Sequence, residues 1–254
     1  MIELTLVGIG TGNPRHLTLE AVAALNTADL ILIPRKGAGK DDLAGLRRAI
    51  CDRVLTRPGP RLHEFDLPRR DAANPDYHAG VADWHDAIAR VWAQQIRAQL
   101  GACGRVAFMV WGDPSLYDST LRIADRVARA LPLRLTVVPG ITSIQALTAG
   151  HAIALNTVGA PVTITTGRRL RQHGWPEGAE TLVVMLDAGG AFLSLPPEGV
   201  AIWWSAYAGM AEEIRIAGPL AEVAAQIVET RAAARARHGW IMDIYLLRRG
   251  DSGF

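Results

Sequence analysis

A glycine-rich segment near the start of the chain, residues 8–13 (GIGTGN), has the composition of a loop that approaches a ligand closely. The dinucleotide-binding fingerprint needs a third glycine where this segment has Asn13. It also needs an acid at the end of the second strand, where this chain has Ile33-Pro34-Arg35. The pattern therefore disfavours NAD binding and an oxidoreductase. It leaves a loop that requires glycine, either for a ligand or for a purely structural turn.

Polar and glycine-containing segments follow several other apolar runs. Such runs, bounded by turn residues, are typical of buried parallel strands. Ligands of α/β proteins bind beyond the carboxyl ends of the strands, so together these segments predict a cleft for a polar, adenosine-sized ligand. The segments are WGDPSLYDST (111–120), VVPGITS (137–143), TGRRLRQHG (166–174) and MLDAGG (185–190).

Strands and helices alternate in the first part of the chain. Apolar runs at 3–9, 29–34 and 105–111 predict strands, and residues 77–100 keep a helical apolar period over several turns. The segment 55–76 is rich in Pro, Arg and Asp, which predicts an exposed excursion.

The spacing of the predicted strands widens after Gly150. We expect two α/β domains with a cleft between them, residues 1–139 and 140–254. A helix is predicted from Pro219 to about Arg235, and Trp203 and Trp204 lie in a strand that is predicted to belong to the core.

Composition is that of an ordinary soluble globular protein, with 49% hydrophobic and 20% charged residues among 254. No basic leader and no apolar stretch of roughly 20 residues is present, so we expect a cytoplasmic protein without a membrane span. Cys51 and Cys103 are too few for a disulfide scaffold, and no metal-site spacing occurs. A net charge of +2 gives no reason to expect nucleic-acid binding.

The basic residues are almost all arginine, since Lys36 and Lys40 are the only lysines. The planar guanidinium suits bidentate binding of carboxylates or phosphates, which makes an acidic ligand worth considering. An arginine-rich codon usage explains the same bias equally well.

The segments GIGTGNPRHLTLEAVAALNTADLIL, WGDPSLYDST, VVPGITSIQA and the strand that ends in TGR together resemble, in order and spacing, the tetrapyrrole (corrin and porphyrin) methylases. The resemblance runs along almost the whole chain. It implies two α/β domains, S-adenosylmethionine (SAM) bound in the cleft between them, S-adenosylhomocysteine as product, and a homodimer.

The excursion with LPRRD and the helix YHAGVADWHDAIARVWA resemble one branch of the family. That branch methylates precorrin-5 at C-1 and releases acetate, giving precorrin-6A in aerobic cobalamin synthesis. The alternatives are another corrin-ring methylase, acting at C-20 or C-11, and a corrinoid-binding protein without turnover.

The resemblance also implies a set of SAM contacts. Thr11 stands where most relatives have proline, and Trp111 replaces the usual glycine, so a backbone contact is expected there. Ala208 and Gly209 follow from a looser alignment. The full set is Thr11, Trp111, Gly112, Asp113, Leu116, Thr142, Ser143, Met185, Ala208 and Gly209.

Methyl transfer from a sulfonium to carbon depends mainly on holding donor and acceptor in line. Acetate release needs a group that accepts a proton from water, and Asp187 and Asp113 are the candidates. Arginines near the cleft are expected to bind the substrate's carboxylates, although about half are expected to be solvated surface charges. They are Arg35, Arg69, Arg70, Arg168, Arg169 and Arg171.

Overall fold

The computed structural model describes residues 1–35, 42–68 and 77–250. The chain divides into two compact units, Met1–Thr142 and Ser143–Phe254. Each unit is built on its own five-stranded sheet with helices packed against it. The predicted α/β class is therefore confirmed.

The first unit alternates strands with helices in the βα order that a parallel sheet requires. Its sheet has the order β3-β2-β4-β1-β5, and all four strand pairs are parallel. Its elements are β1 (Ile2–Gly8), α1 (Leu19–Thr27), β2 (Leu30–Arg35), α2 (Asp42–Val54), β3 (Arg61–Asp66), α3 (Tyr77–Leu100), β4 (Gly104–Val110), α4 (Thr120–Ala130) and β5 (Leu133–Val138).

Both faces of this sheet are covered, which explains why its central strands are almost continuously apolar. Leu4 and Leu6 of β1 point to the core beneath α3 and α4, whereas Val7 and Ile9 point to the core beneath α1 and α2. Thr18 caps α1, since its hydroxyl accepts a hydrogen bond from the Ala21 N–H at 3.0 Å.

The strand order creates a switch point between β1 and β4. The chain leaves β1 and passes β4 to reach β2, while it leaves β4 and passes β1 to reach β5. Neighbouring strands whose connections run in opposite directions leave a crevice at their carboxyl ends, where α/β proteins bind ligands. The segments after β1 and β4, 9–13 and 111–119, begin at this point.

The second unit has a mixed sheet of order β6-β7-β10-β8-β9, in which only β6 and β7 are parallel neighbours. Trp203 and Trp204 are 6% and 0% exposed, which confirms their prediction as core residues. Its elements are α5 (Ser143–His151), β6 (Val162–Thr166), α6 (Gly167–His173), β7 (Thr181–Met185), β8 (Val200–Ala206), β9 (Ile214–Pro219), α7 (Leu220–His238) and β10 (Asp243–Arg249).

Two predictions of local structure need correction. The excursion predicted over 55–76 contains β3, which pairs with β2 at the sheet edge. Only Phe65 of this strand is buried, so an edge strand leaves almost no apolar pattern. The segment after β6, predicted as a loop, forms the short helix α6, which the Thr166 hydroxyl caps by accepting from the Arg169 N–H.

The helix predicted at residues 77–100 is confirmed with the same bounds. The predicted helix from Pro219 begins at Leu220 and extends to His238. Among the residues that the structure describes, no helix combines the length and the hydropathy needed to cross a membrane.

Candidate functional site

Four glycines bring the ends of β1, β4 and β5 into backbone contact. A Cβ atom added to Gly140 would lie 2.1 Å from the carbonyl oxygen of Gly112, and one added to Gly8 would lie 2.6 Å from the nitrogen of Gly140. Gly10 and Gly112 exchange backbone hydrogen bonds of 3.3 and 2.8 Å. The glycine-rich segment is therefore explained by close backbone packing at the switch point, with Gly10 also at a φ of +71°.

Asp113 joins two of these loops through its carboxylate. Oδ2 accepts the Gly140 N–H at 2.9 Å, and Oδ1 accepts the Ser115 N–H at 2.8 Å and the Ser115 hydroxyl. Burial alone would raise the pKa of Asp113, but these hydrogen bonds outweigh it and hold the pKa below its usual value. Because α4 starts only at Thr120, Asp113 is not its N-cap.

The remaining SAM candidates of the first unit lie around this junction. Thr11 is 8% exposed, and its hydroxyl lies 3.1 Å from Nδ1 of His16. The Leu116 N–H donates to the carbonyl of Asp113 at 3.3 Å, and the Cα of Thr142 lies 3.7 Å from the Cβ position of Gly112. The first sheet therefore gathers these predicted residues at its carboxyl edge.

Trp111, the first residue after β4, packs next to an arginine that the sequence analysis did not single out. The guanidinium carbon of Arg47, from α2, lies 5.5 Å from the centroid of the Trp111 ring. The indole Nε1 of Trp111 is buried and has no hydrogen-bond partner. No local signal marks Arg47, because it meets β4 only through the folding of the sheet.

The candidates of the second unit follow two strands that point the same way. Both β7 and β8 are antiparallel to β10, so Met185 at the end of β7 and Ala208 and Gly209 after β8 lie at one edge of that sheet. Leu186 has a φ of +52° and is 66% exposed. An exposed apolar side chain on left-handed backbone is unusual and marks this turn as a candidate ligand contact.

Asp187, 5% exposed, is a hub of hydrogen bonds. Oδ1 accepts Nη1 of Arg171 at 2.7 Å and the Gly189 N–H at 3.1 Å. Oδ2 accepts the Tyr245 hydroxyl at 2.7 Å and the Ala191 N–H at 2.5 Å. Burial alone would raise the pKa of Asp187, yet these donors hold it below its usual value.

An ionised carboxylate whose oxygens accept four hydrogen bonds is a poor proton acceptor. These contacts favour a structural role for Asp187 over the proton-accepting role that the sequence suggested. The same reasoning applies to Asp113, whose two oxygens hold the loops after β4 and β5.

A buried ion pair supports the same edge of the second sheet. Nε of Arg231 donates to Asp243 at 2.9 Å, and Nη2 of Arg231 donates to the backbone carbonyl of Asp187 at 3.1 Å. The indole N–H of Trp204 also donates to Asp243 at 3.1 Å. The turn after β7 is thus fixed by α7, β8 and β10 together.

The arginines predicted to bind substrate differ in their surroundings. Arg35 pairs with Asp66 at 3.1 Å, and Arg171 pairs with Asp187. Arg168 and Arg169 are exposed in the first turn of α6. Arg69 and Arg70 lie outside the described residues. Within the described part of the chain, no group of three or more His, Cys, Asp or Glu side chains could hold a metal ion.

Comparison with known proteins places this geometry in a family. The family model described as Tetrapyrrole (Corrin/Porphyrin) Methylases matches residues 3–224. The chain belongs to the tetrapyrrole methylases. The predicted family and its methyltransferase class are therefore confirmed.

Two individual proteins are similar to this chain over nearly its whole length. Over 98% of this chain and 96% of the relative, it is 52% identical to precorrin-6A synthase [deacetylating] of a Sinorhizobium species. A crystal structure described as a cobalamin synthesis related protein (CobF) from Corynebacterium diphtheriae is 38% identical, with a TM-score of 0.83 over 99% of this chain and 100% of that chain.

A more distant solved structure shares the fold alone. It is uroporphyrin-III C-methyltransferase from Thermus thermophilus complexed with S-adenosylhomocysteine, which is 22% identical. The TM-score is 0.58, with 97% of each chain covered.

Proposed function

We propose that this methylase transfers the methyl group of SAM to C-1 of precorrin-5 and releases acetate, giving precorrin-6A in aerobic cobalamin synthesis. The observation that carries the proposal is the near-full-length identity to a relative named precorrin-6A synthase [deacetylating]. The likeness to a cobalamin synthesis related protein over the whole chain points in the same direction.

SAM is the methyl donor in this proposal, and its proposed contacts are the residues that the family resemblance implies. In the first unit they are Thr11, Trp111, Gly112, Asp113, Leu116 and Thr142, and in the second Ser143, Met185, Ala208 and Gly209. The crevice at the β1/β4 switch point supports the first set. The S-adenosylhomocysteine complex of the Thermus enzyme, which shares the fold, supports the choice of ligand.

When bound, SAM would supply an electrophilic methyl group to an electron-rich ring carbon, and the carbon–sulfur bond would break as the new carbon–carbon bond forms in line with it. The protein's part is then to hold two reactants at the correct distance and angle. A rigid site suits this task, because small misplacements of the reacting atoms lower the rate strongly. The glycine contacts, the Asp113 bridge and the Asp187 hub all limit loop movement.

Acetate release adds water to the acetyl carbonyl and breaks a carbon–carbon bond of the substrate. Asp113 and Asp187 were the candidates for the proton acceptor. Their carboxylates are already occupied by donors, so we propose that both position the loops of the site instead.

The carboxylates of the substrate need cationic partners. Arg168 and Arg169 are candidates for this role, because they are exposed at the same sheet edge as Met185. Arg69 and Arg70 stay candidates. Arg35 and Arg171 are held by Asp66 and Asp187 and would have to exchange those ion pairs for a substrate carboxylate. A homodimer, on the family resemblance, and a location in the cytoplasm complete the proposal.

Product analysis tests this function. Purified protein is incubated with precorrin-5 and SAM, and the corrinoid product is examined by mass spectrometry and NMR. The proposal expects a product that has gained one methyl group at C-1 and lost one acetyl group. Methylation at C-20 or C-11 would identify a different ring methylase, and tight corrinoid binding without SAM consumption would identify a binding protein.

A further inference from the structure

Arg47 is a buried cation in α2, a helix that packs on the first sheet beside the loop after β1. It is 9% exposed, and burial lowers its pKa to about 10, while the charge of Asp118 acts in the opposite direction. A cation is buried at a large cost in solvation unless hydrogen bonds and charges compensate it. The contacts that offset this cost for Arg47 therefore identify the part of the structure that the guanidinium stabilises.

These contacts bracket the β4–α4 loop, residues 111–119. Nε of Arg47 donates a hydrogen bond of 3.1 Å to the carbonyl of Met109, the second-last residue of β4. The guanidinium lies 5.5 Å from the ring of Trp111, the first residue of the loop. Asp118, near the end of the loop, is the acid whose charge favours the cation. Arg47 thus contacts the end of β4 and the first residue of the loop, and the charge of Asp118 near the other end of the loop favours the cation.

The opposite side of the same loop is held by the glycine contacts and by the Asp113 bridge to Gly140. Those contacts fix the backbone at Gly112 and Asp113, but they do not reach the Trp111 ring. The indole N–H has no hydrogen-bond partner, so packing and the guanidinium have to set the position of this ring.

We propose that Arg47 is a positioning residue, which holds the β4–α4 loop in the conformation that binds SAM. The inference rests on the proposed function, since that loop supplies Trp111, Gly112, Asp113 and Leu116. Arg47 acts through Trp111 and the loop ends and has no assigned contact with the ligand.

The test compares three variants of the full chain. Arg47→Met keeps much of the side-chain volume and removes the cation, whereas Arg47→Lys keeps the charge and loses the planar guanidinium. Arg48→Met is the matched control, because Arg48 is the next residue of α2 but is half-exposed and pairs with Glu64. Isothermal titration calorimetry gives the dissociation constant of each variant for S-adenosylhomocysteine. Steady-state kinetics give KM for SAM and kcat separately.

We expect Arg47→Met to raise the dissociation constant about tenfold, a size typical of losing a charge-assisted contact. KM for SAM should rise with it, and Arg47→Lys should restore part of the affinity. Arg48→Met should stay within about twofold of wild type, as surface ion pairs contribute little. If Arg47→Met does not fold, as judged by circular dichroism, the Arg47→Lys variant decides.

Wild-type affinity in a folded Arg47→Met variant would overturn the assignment of Arg47, and where that variant does not fold, wild-type affinity in Arg47→Lys would overturn it. Absence of S-adenosylhomocysteine binding by the wild-type protein would instead overturn the proposed function. The two failures are therefore distinguished by the wild-type titration alone.

Discussion

The backbone N–H of Gly140 donates a hydrogen bond to Oδ2 of Asp113 at 2.9 Å, which joins the loops that follow β5 and β4. The other oxygen of Asp113 holds the start of its own loop through Ser115. The carboxylate thus acts as a bridge at the switch point of the sheet. It places two segments of the predicted SAM site in a fixed relation, and this relation can be tested by substitution.

Replacing Asp113 with Asn should weaken the bridge, because the amide retains only one acceptor oxygen. The expected result is a loss of stability of about 1–3 kcal/mol and an S-adenosylhomocysteine dissociation constant at least about tenfold higher. Urea unfolding and calorimetric titration measure the two effects. Asp125→Asn, at an exposed position of α4, is the control and should change neither. Unchanged binding by Asp113→Asn would remove Asp113 from the site.

Replacing Gly140 with Ala should force the loops after β4 and β5 apart. The added methyl group would lie 2.1 Å from the carbonyl oxygen of Gly112, and neither atom belongs to a flexible side chain. We expect a loss of about 1–3 kcal/mol in the free energy of unfolding, as for other overpacked sites. Gly45→Ala, in α2 with the nearest atom 3.7 Å away, should be neutral or slightly stabilising. Equal stability of the two variants would show that the glycine contact is not required.

Asp187 should make stability depend on pH in the acid range. Its pKa is lower in the folded protein than its ordinary value, so its contribution is fully present above about pH 4 and is lost as pH falls through the folded pKa. Unfolding free energies of wild type and Asp187→Asn, measured from pH 7 to pH 3, should differ by about 2 kcal/mol at pH 7. The difference should shrink towards pH 3.

The exposed Glu177→Gln in the same unit is the control for that series and should follow the wild type throughout. A constant difference between wild type and Asp187→Asn across the acid range would show that the ionised form of Asp187 is not what stabilises the turn.

Replacing Leu186 with Gly should affect ligand binding and protein stability differently. Its left-handed backbone, with a φ of +52°, suits glycine better than leucine, and its side chain is 66% exposed. Leu186→Gly should therefore keep or raise stability by up to about 1 kcal/mol. If the side chain contacts ligand, the same change should raise KM for SAM or for the corrinoid. Val158→Ala, at a fully exposed position, should change neither quantity. If both KM values are unchanged in Leu186→Gly, the Leu186 side chain does not contribute to ligand binding.

Local sequence patterns were sufficient to predict the helices and strands whose apolar residues repeat with a clear period. Residues 77–100 repeat apolar side chains on one helical face, and the structure has a helix with these bounds. The strand β3 was not predicted, because it is an edge strand in which Phe65 is the one buried residue. Glycine spacing disfavoured a dinucleotide loop, but no spacing rule indicates that Gly140 packs on Gly112.

Long-range contacts account for what the sequence did not predict about the site. Asp187 was a plausible proton acceptor from its position in a strand-end loop. In the structure its oxygens accept hydrogen bonds from Arg171 and Tyr245, which belong to other elements, and these contacts are the basis of the positioning role that we propose. Arg47 was not predicted for the same reason, since it meets Met109 only when α2 packs on the sheet. Such partners depend on the tertiary fold, which a local pattern does not encode.

The most direct test of the proposed function measures two products of one reaction. Purified protein is incubated with precorrin-5 and SAM that carries a labelled methyl group, and label in the corrinoid and free acetate are followed over time. The account predicts that acetate is released in equal amount to the methyl groups transferred. Label without acetate would contradict deacetylation and indicate another ring position, and absence of both would contradict the methyltransferase itself.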